Sequence, residues 1–351
     1  MHPFLLKISI FNQLLVNLFL NTFINSIKSI TYTWSHFCSI LFIQIQTINT
    51  KGLKMSSSTV SGITKPLSLI GGILLLSGCV FHISPSVASV KQTQQLSLPS
   101  SNLEYLNVLS GAGSLEIKGS PNAASISVDA TIFTADIEDE YTLTLEQNGK
   151  QATLVANNNT ASGMRFYSGQ SPHIDLVVTV PSNLMLDIDD GSGDIVISAM
   201  QNNINVEDGS GSLSINSAKN LTIEDGSGDI TLENITGNLE LTDGSGSVNI
   251  NNVNGNAVVD DGSGDMRISN VRGTLTVEDG SGSIAINNIN GAVDVDDNSG
   301  DLVIEHVQAS VTIEDGSGNI RVNHAKGLTI TESGSGDVSI DNISGPVKVA
   351  D

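Results

Sequence analysis

Aromatic residues are scarce, 4% of 351 residues, and none follows Tyr167. The long C-terminal part therefore has no side chains on which a sugar ring could stack. Cysteine is nearly missing: Cys38 and Cys79 are the only two. Basic residues are few. All 37 acidic residues but only ten of the 15 Lys and Arg lie from Cys79 onward, a formal balance of −27. Nucleic acid needs a basic footprint, so it is excluded as a partner, and so is a chain lying flat on anionic lipid. Long apolar runs are lacking too. Phe11–Leu20 and Ile40–Ile45 are broken by Asn and Gln, short of the ~20 residues a membrane span needs. No helical i, i+3, i+4, i+7 stripe occurs in the C-terminal half.

What is there is a repeat. Asp-Gly-Ser-Gly or a near copy begins at Asp190, Asp208, Asp225, Asp243, Asp261, Asp279, Asp297, Asp315 and Ser333, at steps of 18 residues and once of 17. A fixed period of this length marks a stacked architecture. Within one copy the apolar positions are Met266, Ile268, Val271, Leu275 and Val277. Their i, i+2 spacing is strand alternation with one face buried, and most equivalents are β-branched. Each copy reads as two short strands and two corners, too thin to bury its own apolar face unless stacked on its neighbours. The expected fold is all-β: a single-domain β-solenoid (β-helix) of 17–18-residue repeats with a wider, strand-rich N-terminal cap. The residue after Gly-Ser-Gly alternates, as in Asp229, Ser247, Asp265, Ser283 and Asp301. In an 18-residue coil that keeps carboxylates from lying directly above one another. A 36-residue coil of two unlike halves is the competing arrangement.

Residues 1–54 contain no Asp or Glu and read as an extension ahead of a true start at Met55. Residues 55–78 read as a signal peptide: Lys65, the apolar run Leu67–Leu76, then Leu76-Ser77-Gly78-Cys79. That box resembles the bacterial lipoprotein box. The resemblance implies a lipid on Cys79, which becomes the mature N-terminus and anchors the protein in the membrane. Val80 follows it rather than an Asp retention signal, which implies the outer membrane in a Gram-negative cell. With Cys38 removed and Cys79 lipidated, no disulfide forms. Residues 79–100 read as a tether. Residues 101–186 read as the N-terminal β coils that cap and start the stack, or alternatively as a separate domain. Residues 187–351 hold the nine repeats. The last repeat has no evident cap; Lys348 blunts its open edge, or two molecules meet there end to end.

Three motifs in order carry a family resemblance: Val108-Leu109-Ser110-Gly111-Ala112-Gly113-Ser114-Leu115-Glu116-Ile117, Val177-Val178-Thr179-Val180-Pro181, and the repeated Gly-Ser-Gly-Asp-Ile-x-Ile. Together, over residues 101–351, they resemble the bacterial putative-adhesin β-strand-repeat family, whose function is not established. The resemblance implies a single-domain β-solenoid at the cell envelope and carries over no catalytic residue.

The first Asp of each repeat is the sharpest candidate site. In an 18-residue coil, Asp190, Asp208, Asp225, Asp243, Asp261, Asp279, Asp297 and Asp315 form a ladder, beside a second acidic column that includes Asp189, Glu207, Glu224, Asp260 and Glu278. Like charges ~4.8 Å apart repel, and Ca²⁺ between coils would relieve this. Neither the nonapeptide calcium repeat nor the EF-hand loop is matched. The reading preferred over Ca²⁺ is that each Asp caps its own turn through an Asx bond and stays solvated. The repeated Gly-Ser-Gly serines, such as Ser227 and Ser263, are not in the Gly-x-Ser-x-Gly context of a nucleophile and read as corner packing. His306 and His324 are 18 apart and stack; two stacked imidazoles can hold a metal, but neutral, exposed rings are the expected state. Basic side chains are too scattered for a β-helix polysaccharide-active enzyme, and ranks of Thr-x-Thr for ice binding do not recur. The sequence thus points to a non-catalytic, lipid-anchored envelope protein, adhesin-like or a structural scaffold, that presents an acidic repetitive β surface to a protein or surface partner. A Ca²⁺-stabilised repeat module is the alternative.

Overall fold

The computed structural model describes residues 87–136, 140–158 and 169–350. Residues 55–78, expected to be a signal peptide, and Cys79 lie outside the described residues. Every regular element described is a strand, and the strands form two 13-stranded sheets.

The repeats dictate this arrangement. Met266–Val271 lies in one sheet and Leu275–Asp279 in the other. Met266 pairs in parallel register with Val248 on one side and Ile284 on the other, and Leu275 with Ala257 and Val293. One repeat is therefore one coil, which settles the 18-residue arrangement over the 36-residue one. The single 17-residue step keeps register, with Asp208 opposite Asp225. Met266, Ile268, Val271, Leu275 and Val277 are all buried and join one continuous core. The result is a β-solenoid of about nine turns.

The N-terminal end is built differently. We label its strands β1 (Val90–Pro99), β2 (Tyr105–Ser110), β3 (Leu115–Ser120), β4 (Ser125–Thr134), β5 (Tyr141–Asn148), β6 (Gln151–Asn158) and β7 (His173–Pro181). β2 and β3 form a coil stacked in parallel on Met185–Asp190 and Ile195–Ser198. Its corner, Ser110-Gly111-Ala112-Gly113, is a further copy of the repeat corner: Ser110 sits opposite Asp190, and Gly113 has φ +120°. β6 and β7 lie on the far side of that coil, so chain order and stacking order diverge. β1 on β4, β4 on β7 and β5 on β6 are antiparallel. The stretch expected to be a tether needs correction: from Val90 to Pro99 it is β1, hydrogen-bonded along its whole length to β4. At the other end, Val338–Ile343 and Val347–Val349 are the last strands of their sheets, with Val338, Val347 and Val349 exposed.

The Gly-Ser-Gly corners set how closely coils approach. Gly264 has φ +147°, and a Cβ there would lie 1.6 Å from the Gly246 carbonyl oxygen of the coil before it. Glycine stacks on glycine because nothing larger fits. Gly264→Ala is expected to cost about 3 kcal/mol, from backbone strain and the forced separation of coils. Gly149→Ala, at φ +62° with open space around it, should cost only about 1 kcal/mol. Denaturant midpoints of the two variants check this; equal losses would contradict the stacking argument.

Candidate functional site: a buried aspartate column behind an acidic face

Counting along Leu275-Thr276-Val277-Glu278-Asp279 puts Leu275, Val277 and Asp279 on the inner face and Glu278 on the outer one, and the structure has them so. The same alternation buries Asp190, Asp208, Asp225, Asp243, Asp261, Asp279, Asp297 and Asp315, all 6% exposed or less. They stand one above another in register, Asp208 between Asp190 and Asp225, Asp261 between Asp243 and Asp279. The sequence reading was half right. In seven of the eight the Asx bond is present: the Ser263 amide donates to Asp261 Oδ1 at 3.0 Å and the Ser299 amide to Asp297 Oδ1 at 2.9 Å, and the others follow suit. Asp190 Oδ1 accepts the Ser110 hydroxyl. Solvation, however, is not found. Every Oδ2 is buried and has no hydrogen-bond partner in the protein.

A buried carboxylate with a bare oxygen is costly. Burial, as the main cause, pushes Asp190 and Asp279 up to about 7 and Asp208, Asp243 and Asp297 up to about 6. For Asp208, Asp243 and Asp279 the charge of the next aspartate in the column is the second cause. Asp225, Asp261 and Asp315 are raised as well, again chiefly by burial. The column is flanked by neutral hydroxyls, Ser110 at one end and, in the ninth corner, Ser333 in place of an aspartate.

Outside this column lies the acidic face. Asp189, Glu207, Glu224, Glu240, Asp260 and Glu278 are exposed, and Asp294, Asp296 and Glu314 continue the row. The strands of this face from Met185–Asp190 to Gly327–Glu332 contain no Lys, Arg or His. A shallow groove of about 470 Å³ runs along the edge, lined by Asp189, Glu207 and Glu224 outside and Asp190, Asp208 and Asp225 inside. Among the described residues no three acidic, His or Cys side chains converge as a metal cage, so the ladder is a row rather than a preformed ion site.

The remaining columns use stacking differently. Asp265 Oδ1 accepts the amide of Ser283 in the next coil at 3.2 Å, and Asp229 that of Ser247 at 3.1 Å. The Asp/Ser alternation thus gives Asp194, Asp229, Asp265 and Asp301 an amide donor instead of a like charge. At the opposite corner the chain turns through a left-handed residue in every coil: Ala199 and Ser217, then Asn234, Asn252, Asn270 and Asn288, then His306, His324 and Asn342, with φ between 55° and 83°. Asn tolerates this conformation better than most residues. The Asn252 amide donates to Asn234 Oδ1 at 3.2 Å and that of Asn288 to Asn270 Oδ1 at 2.6 Å. His306 and His324 do stack, with ring centroids 5.1 Å apart. Burial of the aspartates and this amide ladder escaped the sequence reading. The first was signalled by strand parity; the second by Asn recurring just before the apolar Val253, Val271 and Ile289.

Toastrack DUF4097 matches residues 124–311. Solved structures with a similar chain course include a "putative cell adhesion protein" from Clostridium sporogenes, 11% identical over 72% of this chain and 99% of that one, TM-score 0.26. A "putative lipid binding protein" from Parabacteroides distasonis is 15% identical over 74% and 97%, TM-score 0.35. A "putative adhesin" from Bacteroides fragilis is 13% identical over 72% and 97%, TM-score 0.30. A search of curated proteins finds no match.

The raised carboxyls make a signed pH dependence. An aspartate ordinarily titrates near 3.8; Asp190 and Asp279 are pushed up to about 7 and Asp208, Asp243 and Asp297 to about 6. The folded state therefore binds more protons between those values. The stabilisation is full below about pH 4 and is lost as pH rises through 6 to 7. Melting temperature should be higher at pH 5 than at pH 8. Asp279→Asn should raise it at pH 8 and flatten the profile, by about 1 kcal/mol or more. Exposed Glu278→Gln, which removes the same charge, should flatten it less. Thermal melts of the three proteins from pH 4 to 9 check the ordering.

Proposed function

The chain belongs to the Toastrack DUF4097 family, and from that premise we propose that it is a non-catalytic envelope protein, lipid-anchored through Cys79, whose stiff solenoid holds an acidic β surface out to a partner in an adhesin-like or scaffolding role. The observation that carries this is the acidic face itself. Each of nine successive strands, about 4.8 Å apart, carries an outward carboxylate, and none carries a basic side chain. Such a surface binds by summing many weak contacts and suits an extended cationic partner better than a small substrate. The Leu76-Ser77-Gly78-Cys79 box supports export and anchoring. Antibody labelling of intact cells tests the reading. Labelling before permeabilisation, and release of the protein from the membrane fraction in Cys79→Ala, is the expected outcome. Labelling only after the outer membrane is breached would remove the adhesin role and leave a periplasmic scaffold.

A second reading is favoured by the eight bare Oδ2 atoms. Where a proton does not fill such a site, a divalent cation between coils can. Addition of millimolar Ca²⁺ at pH 8 should then raise the melting temperature reversibly to chelator. An unchanged melting temperature would leave protons as the sole occupants.

A further inference from the structure

The groove at the asparagine corner has a chemistry opposite to that of the acidic face. It measures about 430 Å³ and runs along the stack between two rows of side chains. One row is the left-handed column, Asn252, Asn270 and Asn288 among it; the other, two residues on, includes Asn254, Arg272 and Asn290. No carboxylate lines it, in contrast to the groove at the Gly-Ser-Gly edge, which carboxylates line. Glycine would adopt the left-handed corner at no steric cost, as it does at Gly-Ser-Gly. This corner instead keeps a hydrogen-bonding side chain in eight successive coils, from Ser217 to Asn342.

These side chains have capacity to spare. A carboxamide has two N–H donors and an oxygen with two lone pairs. Asn288 uses one N–H within the ladder. Asn254 and Asn290 make no side-chain hydrogen bond to the described residues, and Arg272 has no ion-pair partner among them. A groove of neutral amides with one free guanidinium fits a ligand dense in hydroxyls and sparse in carboxylates. It must also be long and straight, because the Asn234, Asn252, Asn270 and Asn288 amides recur coil by coil, about 4.8 Å apart. One sugar of an extended β-linked glycan advances by nearly the same distance.

We propose that this groove binds an extended β-linked polysaccharide strand lying along the solenoid axis, its hydroxyls held by the two amide rows and an occasional carboxylate by Arg272. With no aromatic platform, each sugar is held weakly, and affinity grows with the number of coils engaged. The proposal deepens the adhesin-like reading by naming a partner class at a second face. It depends on that reading only for access to the strand.

The test is cosedimentation of the purified chain with insoluble chitin, insoluble cellulose and carboxylate-bearing peptidoglycan sacculi. The chain is expected to pellet with at least one of them. Asn254→Ala/Asn290→Ala removes no internal hydrogen bond, so it should melt as the parent does and yet bind roughly fivefold less. Arg272→Gln should weaken binding to sacculi more than to chitin. Glu224→Gln/Asp260→Asn, on the acidic face, should bind as the parent. No pelleting with any of the three polymers, undiminished binding by the Asn254/Asn290 variant, or an equal loss in the acidic-face variant would each overturn the proposal. Cell labelling is scored separately, so a surface-exposed chain that ignores all three glycans would remove this inference alone.

Discussion

Parallel, in-register stacking at one coil per repeat is the constraint on which everything else in this molecule depends. Each strand has its backbone partners in the coils before and after it, so an 18-residue period places every side chain on its own kind. For apolar residues this is favourable without further arrangement: Ile268 lies between Ile250 and Ile286 and excludes water on all sides. For glycine it permits a contact that no other residue could make, as at Gly246 and Gly264. For asparagine it aligns donor over acceptor and produces a ladder. For a carboxylate it is unfavourable, because the nearest neighbour is another carboxylate.

The chain meets that conflict in three ways. After Gly-Ser-Gly it alternates Asp with Ser, so a carboxylate faces an amide. On the outer face it leaves the charges in water, where solvent screens them, and interrupts the row at Thr242, between Glu224 and Asp260. At the inner end of each second strand neither device is used. There aspartate stacks on aspartate out of solvent, and burial shifts the carboxyls towards their protonated form. A protonated carboxyl keeps the Asx acceptor that shapes the corner and loses the charge that would push coils apart. This explains why Asp serves at a position whose inward neighbours are Val and Leu: its Oδ1 caps the turn, and only its second oxygen is left to be neutralised.

Much of this is legible in the amino-acid sequence. The period, the five apolar positions and the two-strand coil follow from the spacing of residues such as Met266, Ile268 and Leu275, because stacking repeats the same local problem nine times. Two features were not. Asp-Gly-Ser-Gly resembles an exposed turn so closely that Asp279 was assigned to solvent, although it falls on the same strand parity as Leu275 and Val277. Turn chemistry and strand parity conflicted there, and parity prevailed. Val90–Pro99 looked like a polar tether because its alternation is weak, with Gln92, Gln94 and Leu96 on the half-buried side. Its partner, β4, begins 26 residues after β1 ends, and such non-local pairing leaves no local signature.

The same geometry keeps the two candidate surfaces apart. The Gly-Ser-Gly corner carries the chain from the second sheet to the first, and the Asn-containing corner carries it back, so they occupy opposite edges of the stack. The carboxylate-lined groove lies along the first edge and the amide groove along the second. A repeated coil cannot vary one edge from turn to turn without losing the ladder, but it can make the two edges as different as their residues allow. Negative charge discourages polyanions along the first edge, while the carboxylate-free groove with Arg272 is open to a hydroxyl-rich strand. Specificity in such a protein comes from which edge a long ligand can follow in register, since no single coil holds enough contacts to choose.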